Sequence, residues 1–154
     1  MKTDNPAKHF ILPFLIALVL YAAAYSWIEH RRNRKGPWEV TFTNGIAGPG
    51  LVINQARLGL TNVQIIFPGE AATLTNTGSR MSFGRPREVP FELPFGKCVF
   101  MDLTFLPGTL TIDAFGHEIE LLPRVLVVDR KERGWRTGES VTLERVTGKK
   151  PELP

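Results

Sequence analysis

Hydrophobic and polar positions change their arrangement twice along this chain. From Phe10 to Ile28, "FILPFLIALVLYAAAYSWI" is a run of 19 residues without a formal charge. Arg31, Arg32, Arg34 and Lys35 follow, and then Gly36-Pro37 breaks the chain. Beyond Pro37 the pattern turns to alternation with a period of two. A helix of the uncharged length, rising ~1.5 Å per residue, reaches about 28 Å and matches the ~30 Å hydrocarbon core of a bilayer. Tyr25 and Trp27, with Tyr21 before them, sit towards its C-terminal end as interfacial aromatics do. Pro13 is expected in the first turn, where its missing N–H is tolerated. The pattern predicts a short N-terminal tail over 1–9, a single transmembrane helix over 10–28 and a basic juxtamembrane linker over 29–37.

The rival reading is a cleaved signal peptide with small residues at Ala22, Ala23 and Ala24. Two features oppose it. Apolar character continues past that point through Tyr25-Ser26-Trp27-Ile28, and the basic cluster would then open the mature chain and resist translocation. The same cluster outweighs Lys2, Lys8 and the N-terminal amine on the other flank. The positive-inside rule therefore favours a cytoplasmic C-terminal domain at a cell membrane, the inner membrane in a bacterium, with the periplasmic side as the alternative. Residues 31–35 are also expected to lie near anionic headgroups. Ala22 and Ser26, four apart, form a small-xxx-small pair that lets another helix approach closely. The expected first partner is thus the lipid bilayer.

After residue 37 the alternation predicts strands. In "WEVTF", Trp38, Val40 and Phe42 share a face. In "LTNVQIIF", Leu60, Asn62, Gln64 and Ile66 oppose Thr61, Val63, Ile65 and Phe67. In "CVFMDLTF", Val99, Met101, Leu103 and Phe105 oppose Phe100, Asp102 and Thr104. "TLTIDAF" and "HEIELL" place Leu110, Ile112, Ile119 and Leu121 inward, and "SVTLERV" does the same for Val141 and Leu143. "RVLVVD" is continuous, as in a strand buried on both faces. Turn sequences separate these runs: "NGIAGPG" (44–50), "PGE" (68–70), "NTGS" (76–79), "GRP" (84–86), "LPFG" (93–96), "LPG" (106–108), "FGH" (115–117) and "RKERGWRTGE" (130–139). Half-buried runs of five to eight residues with such punctuation predict a mainly β domain over 38–146, an antiparallel sandwich or barrel of about 8–10 short strands. Residues 147–154 read as a flexible tail. Pro86, Pro90 and Pro94 cannot all donate to a ladder, so 85–94 is expected to be an edge strand or an extended connection.

Charge sharpens this division. Six of the 19 basic residues and two of the 15 acidic ones lie within the first 37 positions, which leaves thirteen of each in the rest. The net +4 therefore belongs to the flanks of the apolar run. A nucleic-acid binder concentrates Lys and Arg on its folded part, so that class is excluded as a partner. Cys98 is the single cysteine, which forbids an intrachain disulfide and a thiolate metal cluster. Its strand-like surroundings predict a buried structural thiol.

Chemistry-bearing motifs are scarce. The sequence holds no phosphate-binding glycine loop, no dinucleotide fingerprint and no G-x-S-x-G elbow. His117 is the one histidine of the β domain. In "HEIE" it shares a face with Ile119, away from Glu118 and Glu120, so a metal site or small hydrolase centred there would need Asp102, Asp113 or Asp129. Glu118 and Glu120 read as the wet side of a sheet. Trp135, between Arg133 and Arg136, is expected either to contact a partner or to fold back over the end of the sandwich. The expectation is a non-enzymatic, cofactor-free interaction, scaffold or accessory subunit of a membrane assembly, with Trp135, Arg133, Arg136, Pro86 and Pro90 as candidate partner contacts. A membrane-tethered domain that binds a lipid or carbohydrate is the alternative, and a His117-centred metal hydrolase the second.

Overall fold

A computed structural model describes residues 6–72 and 78–145 of the chain. Residues 6–9 of the tail expected over 1–9 belong to a helix, while residues 1–5, the tail expected over 147–154 and the first half of the "NTGS" turn lie outside the described residues. The chain divides after Arg34 into two units.

The first unit is a helix, α1 (Pro6–Asn33). It is longer than the uncharged run at both ends, because polar and basic residues can continue a helix whose backbone bonds are already propagating. Pro13 accordingly lies in its interior and not in the first turn. Near its end Glu29 accepts from the Asn33 side chain at 2.7 Å and stands 3.8 Å from Arg32. The helix stops where it must. Gly36 adopts φ +72°, and Pro37 disfavours helical geometry in the residue before it. The segment His9–Asn33 is long and apolar enough to cross a membrane. Large apolar side chains stand exposed all along it, from Phe10 to Ile28, and none of the span is buried within the chain.

Among the described residues, the second unit holds eleven strands in two sheets. Strands β1 (Trp38–Gly45), β2 (Gly48–Gln55), β3 (Leu60–Ile66), β4 (Ser79–Phe83) and β11 (Ser140–Thr142) form one sheet in the order β11-β3-β2-β1-β4. Strands β5 (Phe91–Glu92), β6 (Lys97–Asp102), β7 (Thr109–Ala114), β8 (His117–Leu121), β9 (Val125–Val128) and β10 (Lys131–Gly134) form the other, in the order β10-β9-β8-β7-β6-β5. The pairings are antiparallel apart from β11 with β3, which run parallel. That pair corrects the all-antiparallel expectation. The chain reaches β11 by crossing from the edge of one sheet to the edge of the other.

The core lies between the sheets. Trp38, Val40 and Phe42 of β1 face Leu110, Ile112, Ile119 and Leu121 of β7 and β8, and all seven are fully buried. Phe42, Phe67, Phe95 and Phe115 form a chain of ring contacts with centroids 5.0–6.2 Å apart. Burying each such side chain contributes about 1.5–3 kcal/mol, so this interior dominates the stability of the unit.

Simple alternation fails at three places, each with a local cause. In β3, Leu60 and Val63 are both buried because Asn62 adopts φ 55°, with its N–H donating to Asn54 Oδ1. In β6 a bulge at Val99 shifts the phase, so Cys98 is buried while Phe100 is exposed, and Phe105 is exposed in the turn beyond the strand. In β9, Leu126 and Val128 are buried but Val125 and Val127 are only half-buried, so "RVLVVD" is a one-sided strand. Two supposed turns are also shorter than expected. "NGIAGPG" closes a hairpin with Gly45 opposite Gly48, which places Gly48-Pro49 inside β2, and residues 131–134 of "RKERGWRTGE" form β10 against β9.

Candidate functional site

His117 opens β8 after a two-residue turn, Phe115-Gly116, with φ of 51° and 83°. Asp129 and Arg130 make a second turn of this kind between β9 and β10, with φ of 50° and 65°. Positive φ at both central positions gives the hand of turn that matches the twist of paired strands. Aspartate tolerates it better than most residues with a β-carbon. The turn delivers the Asp129 carboxylate to the start of β8. One oxygen lies 2.6 Å from His117 Nδ1, and the other accepts from the Glu118 N–H at 3.0 Å. The Asp129 N–H in turn donates to the Glu118 carbonyl at 2.9 Å.

The second ring nitrogen of His117, Nε2, lies 3.0 Å from the backbone carbonyl of Glu144, just beyond β11. The imidazole is only 6% exposed and packs 6.0 Å from the Phe67 ring. Both nitrogens therefore face acceptors, and the ring donates at both when it carries two protons. A catalytic or metal-binding histidine needs one nitrogen with a lone pair turned towards the reacting group. Here that nitrogen is turned to a peptide oxygen. Among the described residues no group of three or more His, Cys, Asp or Glu side chains is arranged to hold a metal ion. The cluster works as a clamp on β8, the β9–β10 turn and the chain after β11.

Trp135 folds back over the end of the sandwich. Its ring lies 5.3 Å from that of Trp38 at an interplanar angle of 34°, and its Nε1–H donates to the Leu122 carbonyl at 2.8 Å. Trp38 donates to the Gly108 carbonyl at 3.0 Å. Gly108 has φ +74°, and a β-carbon there would collide with the Asp102 carbonyl oxygen, so this position requires glycine. Arg133 and Arg136 flank Trp135 and are exposed. Pro86 and Pro90 are exposed in the connection that leads to the two-residue edge strand β5.

Cys98 is buried, and its Sγ–H donates to the Phe100 carbonyl at 3.4 Å. Burial is the largest influence on its thiol and pushes the pKa up, with a backbone hydrogen bond with Phe100 acting in the opposite sense. A raised thiol is a poor nucleophile at neutral pH. Asp102 is held below the usual carboxylate range by the N–H and hydroxyl of Thr104, at 2.9 and 2.8 Å.

On α1, the Arg31 guanidinium stacks 5.3 Å over the Trp27 ring, and Tyr21 and Tyr25 stack at 6.4 Å. Trp27, Tyr25, Ala22 and Ser26 are exposed, while Arg32 is half-buried and Arg34 and Lys35 follow in the exposed stretch before Gly36.

Two features escaped the sequence reading. Gln55 is 2% exposed and holds the entry to the β unit: its amide donates to the carbonyls of Gly36 and Pro37 at 2.9 and 2.8 Å, and its oxygen accepts from the Arg57 N–H. A lone glutamine at the end of a hydrophobic run, "LVINQ", was its one signal. The second is β4, "SRMSF", too short to declare its alternation. It forms an edge of the five-stranded sheet, and Arg80 pairs with Glu39 of β1 across its outer face.

No family model, curated protein or solved structure matches the chain. The observable class is a mainly β unit carrying one N-terminal helix of membrane-spanning length.

Proposed function

We propose that the protein is a single-pass, membrane-anchored β domain that serves as a non-enzymatic interaction, scaffold or accessory subunit of a membrane assembly. One observation carries the reading. An apolar helix, exposed on all sides and flanked by aromatic and basic residues, is joined to a β unit whose conspicuous polar groups are spent on its own architecture. A helix that is apolar all round needs a non-aqueous environment or a covering partner. His117 and Asp129 bond to each other and to the backbone, and the Trp135 indole N–H is likewise satisfied internally. The exposed sheet edges and loops of the β unit suit recognition of another polypeptide.

The lipid- or carbohydrate-binding alternative lacks a comparable support, since aromatic rings in mutual contact occupy the space between the sheets. The His117-centred hydrolase lacks one too, because both ring nitrogens already have partners. Affinity capture from gently solubilised membranes tests the proposal. It should return the chain in stoichiometric complex, with another protein or with its own copy. Recovery of the free monomer alone would count against it.

A further inference from the structure

The two sheets end in four edge strands, and they are not equally guarded. β5 is two residues long and flanked by Pro90 and Pro94. β10 carries Lys131, Glu132 and Arg133 in four residues, and β11 has three residues only. Short edges, prolines and charges are the usual means of keeping strand edges from pairing with other chains. β4 is the least guarded of the four. It is five residues long, without proline, and its single charge, Arg80, is already matched by Glu39 on the neighbouring strand.

The register shows which backbone groups β4 leaves open. The Pro49 carbonyl accepts from Phe67 N–H, so Pro49 points its bonds towards the chain leaving β3. Bonding alternates along a strand, so Gly50 turns to β1 and Thr43–Gly50 is a bonded pair. Thr41 and Glu39 then also bond towards β2, while Phe42, Val40 and Trp38 bond towards β4 through Ser79, Met81 and Phe83. Arg80 and Ser82 consequently direct their N–H and C=O groups to the open side. Both are exposed, and among the described residues no backbone bond to them is made from that side.

The sequence of this edge is complementary to itself. An antiparallel copy related by a two-fold axis at Met81 sets Arg80 opposite Ser82 of the other chain, Phe83 opposite the small Ser79, and Met81 opposite its own copy. Arg80–Ser82 and Ser82–Arg80 become two bonded pairs, each exchanging both backbone bonds. On the outer face no arginine stands directly opposite an arginine. Each lies in the same row as the other chain's Glu39, across the small Ser82, as the Glu39–Ser82 register requires. We infer that β4 is a self-pairing edge, through which two copies of this chain join their five-stranded sheets antiparallel about Met81.

The interface is isologous and closed, as cyclic dimers require. Its backbone contacts are few, so it depends on the two copies sharing a membrane, which raises their effective concentration. In that respect the inference rests on the anchored reading above and names its partner. Ala22 and Ser26 would permit the two helices to approach, although the seam does not need them.

Disulfide capture in native membranes tests the seam in the full-length chain. Directly opposed residues of a non-bonded pair have Cα atoms about 4.5 Å apart, within the roughly 4.4–6.8 Å that a disulfide spans. Met81→Cys should give a covalent homodimer as the main species under mild oxidation. Arg80→Cys, whose opposite residue is Ser82, should give severalfold less. Ser82→Pro added to Met81→Cys removes an open-side N–H and leaves the β1-facing bonds, so the dimer should disappear while the Trp38–Trp135 fluorescence stays native. Absence of the Met81→Cys dimer, equal yields from Arg80→Cys, persistence in the proline variant, or a cross-link to a different polypeptide would each overturn the proposal. Carbonate washing of the same membranes keeps the two ideas apart: a retained chain that fails to cross-link refutes the seam alone, and a released chain refutes the anchor.

Discussion

Asp129 divides its carboxylate between two tasks: one oxygen meets His117 Nδ1 at 2.6 Å, and the other receives the Glu118 N–H. The pair ties the β9–β10 turn to β8, and His117 Nε2 carries the connection on to Glu144, 27 residues away. The imidazole at its centre is buried, while Asp129 and Glu144 are exposed, so the cost of breaking the arrangement falls on the ring.

His117→Ala should therefore destabilise the β unit by about 2–4 kcal/mol, from the lost packing of the buried ring and the loss of its two hydrogen bonds. Asp129→Asn keeps the turn, since asparagine accepts positive φ, and should cost less, about 1–3 kcal/mol, by removing the charge that faces the ring. Denaturant unfolding followed by tryptophan fluorescence measures both. Near-wild-type stability of His117→Ala would refute the clamp.

The Trp38–Trp135 pair makes a comparison between unequal partners. Trp38 is fully buried and bonded to Gly108, whereas Trp135 is half-buried at the sandwich end. Trp38→Ala should cost about 3–5 kcal/mol or prevent folding. Trp135→Ala should cost about 1–2 kcal/mol, the share of its ring contact and of one hydrogen bond. Equilibrium unfolding orders the two, and the reverse order would contradict the assigned packing.

The Cys98 thiol has its pKa raised by burial, so the fold favours the neutral thiol. Its contribution to stability is complete below the unfolded thiol's pKa and is lost as pH rises through the higher folded value. Cys98 should resist alkylation in the folded protein at neutral pH and react fully in denaturant. Timed reaction with a maleimide, read by intact mass, checks this.

Asp102 behaves in the opposite sense. Its pKa is lowered by the bonds from Thr104, so the stability it adds is present above the ordinary aspartate pKa of about 3.9 and is lost as pH falls through the lower folded value. Asp102→Ala should be less stable than wild type at neutral pH, and the two should converge in acid. Thermal melts across that range show whether they do.

The positive-inside rule predicts the side of the membrane. Arg136→Cys places a thiol on an exposed loop, and Cys98 is too buried to compete with it. An impermeant maleimide should label the variant only after permeabilisation. Labelling in intact cells would reverse the orientation and leave the anchor untouched.

Much of the core was visible as alternation. Trp38, Val40, Phe42, Leu110, Ile112, Ile119 and Leu121 fall inward because their strands are regular and solvated on one face. Reading failed where a single residue changes the phase. Asn62 and Val99 do this through a positive φ and a bulge, and neither is marked by a proline or a glycine. β2 was hidden because Gly48-Pro49 resembles a turn, yet it sits at the hairpin end of the strand. The parallel β11–β3 pair and the His117–Glu144 bond join distant parts of the chain, which no local period records. Trp135 was legible as one of two alternatives, and the position of its ring on Trp38 decides its packing. The edge position of β4 follows from sheet order, which a one-dimensional pattern does not contain.

Alkaline carbonate extraction of membranes, combined with the mass of the mature N-terminus, tests the anchored reading most directly. The chain should stay in the pellet with Phe10–Ile28 intact. Release into the wash, or a mature start beyond Ser26, would contradict it.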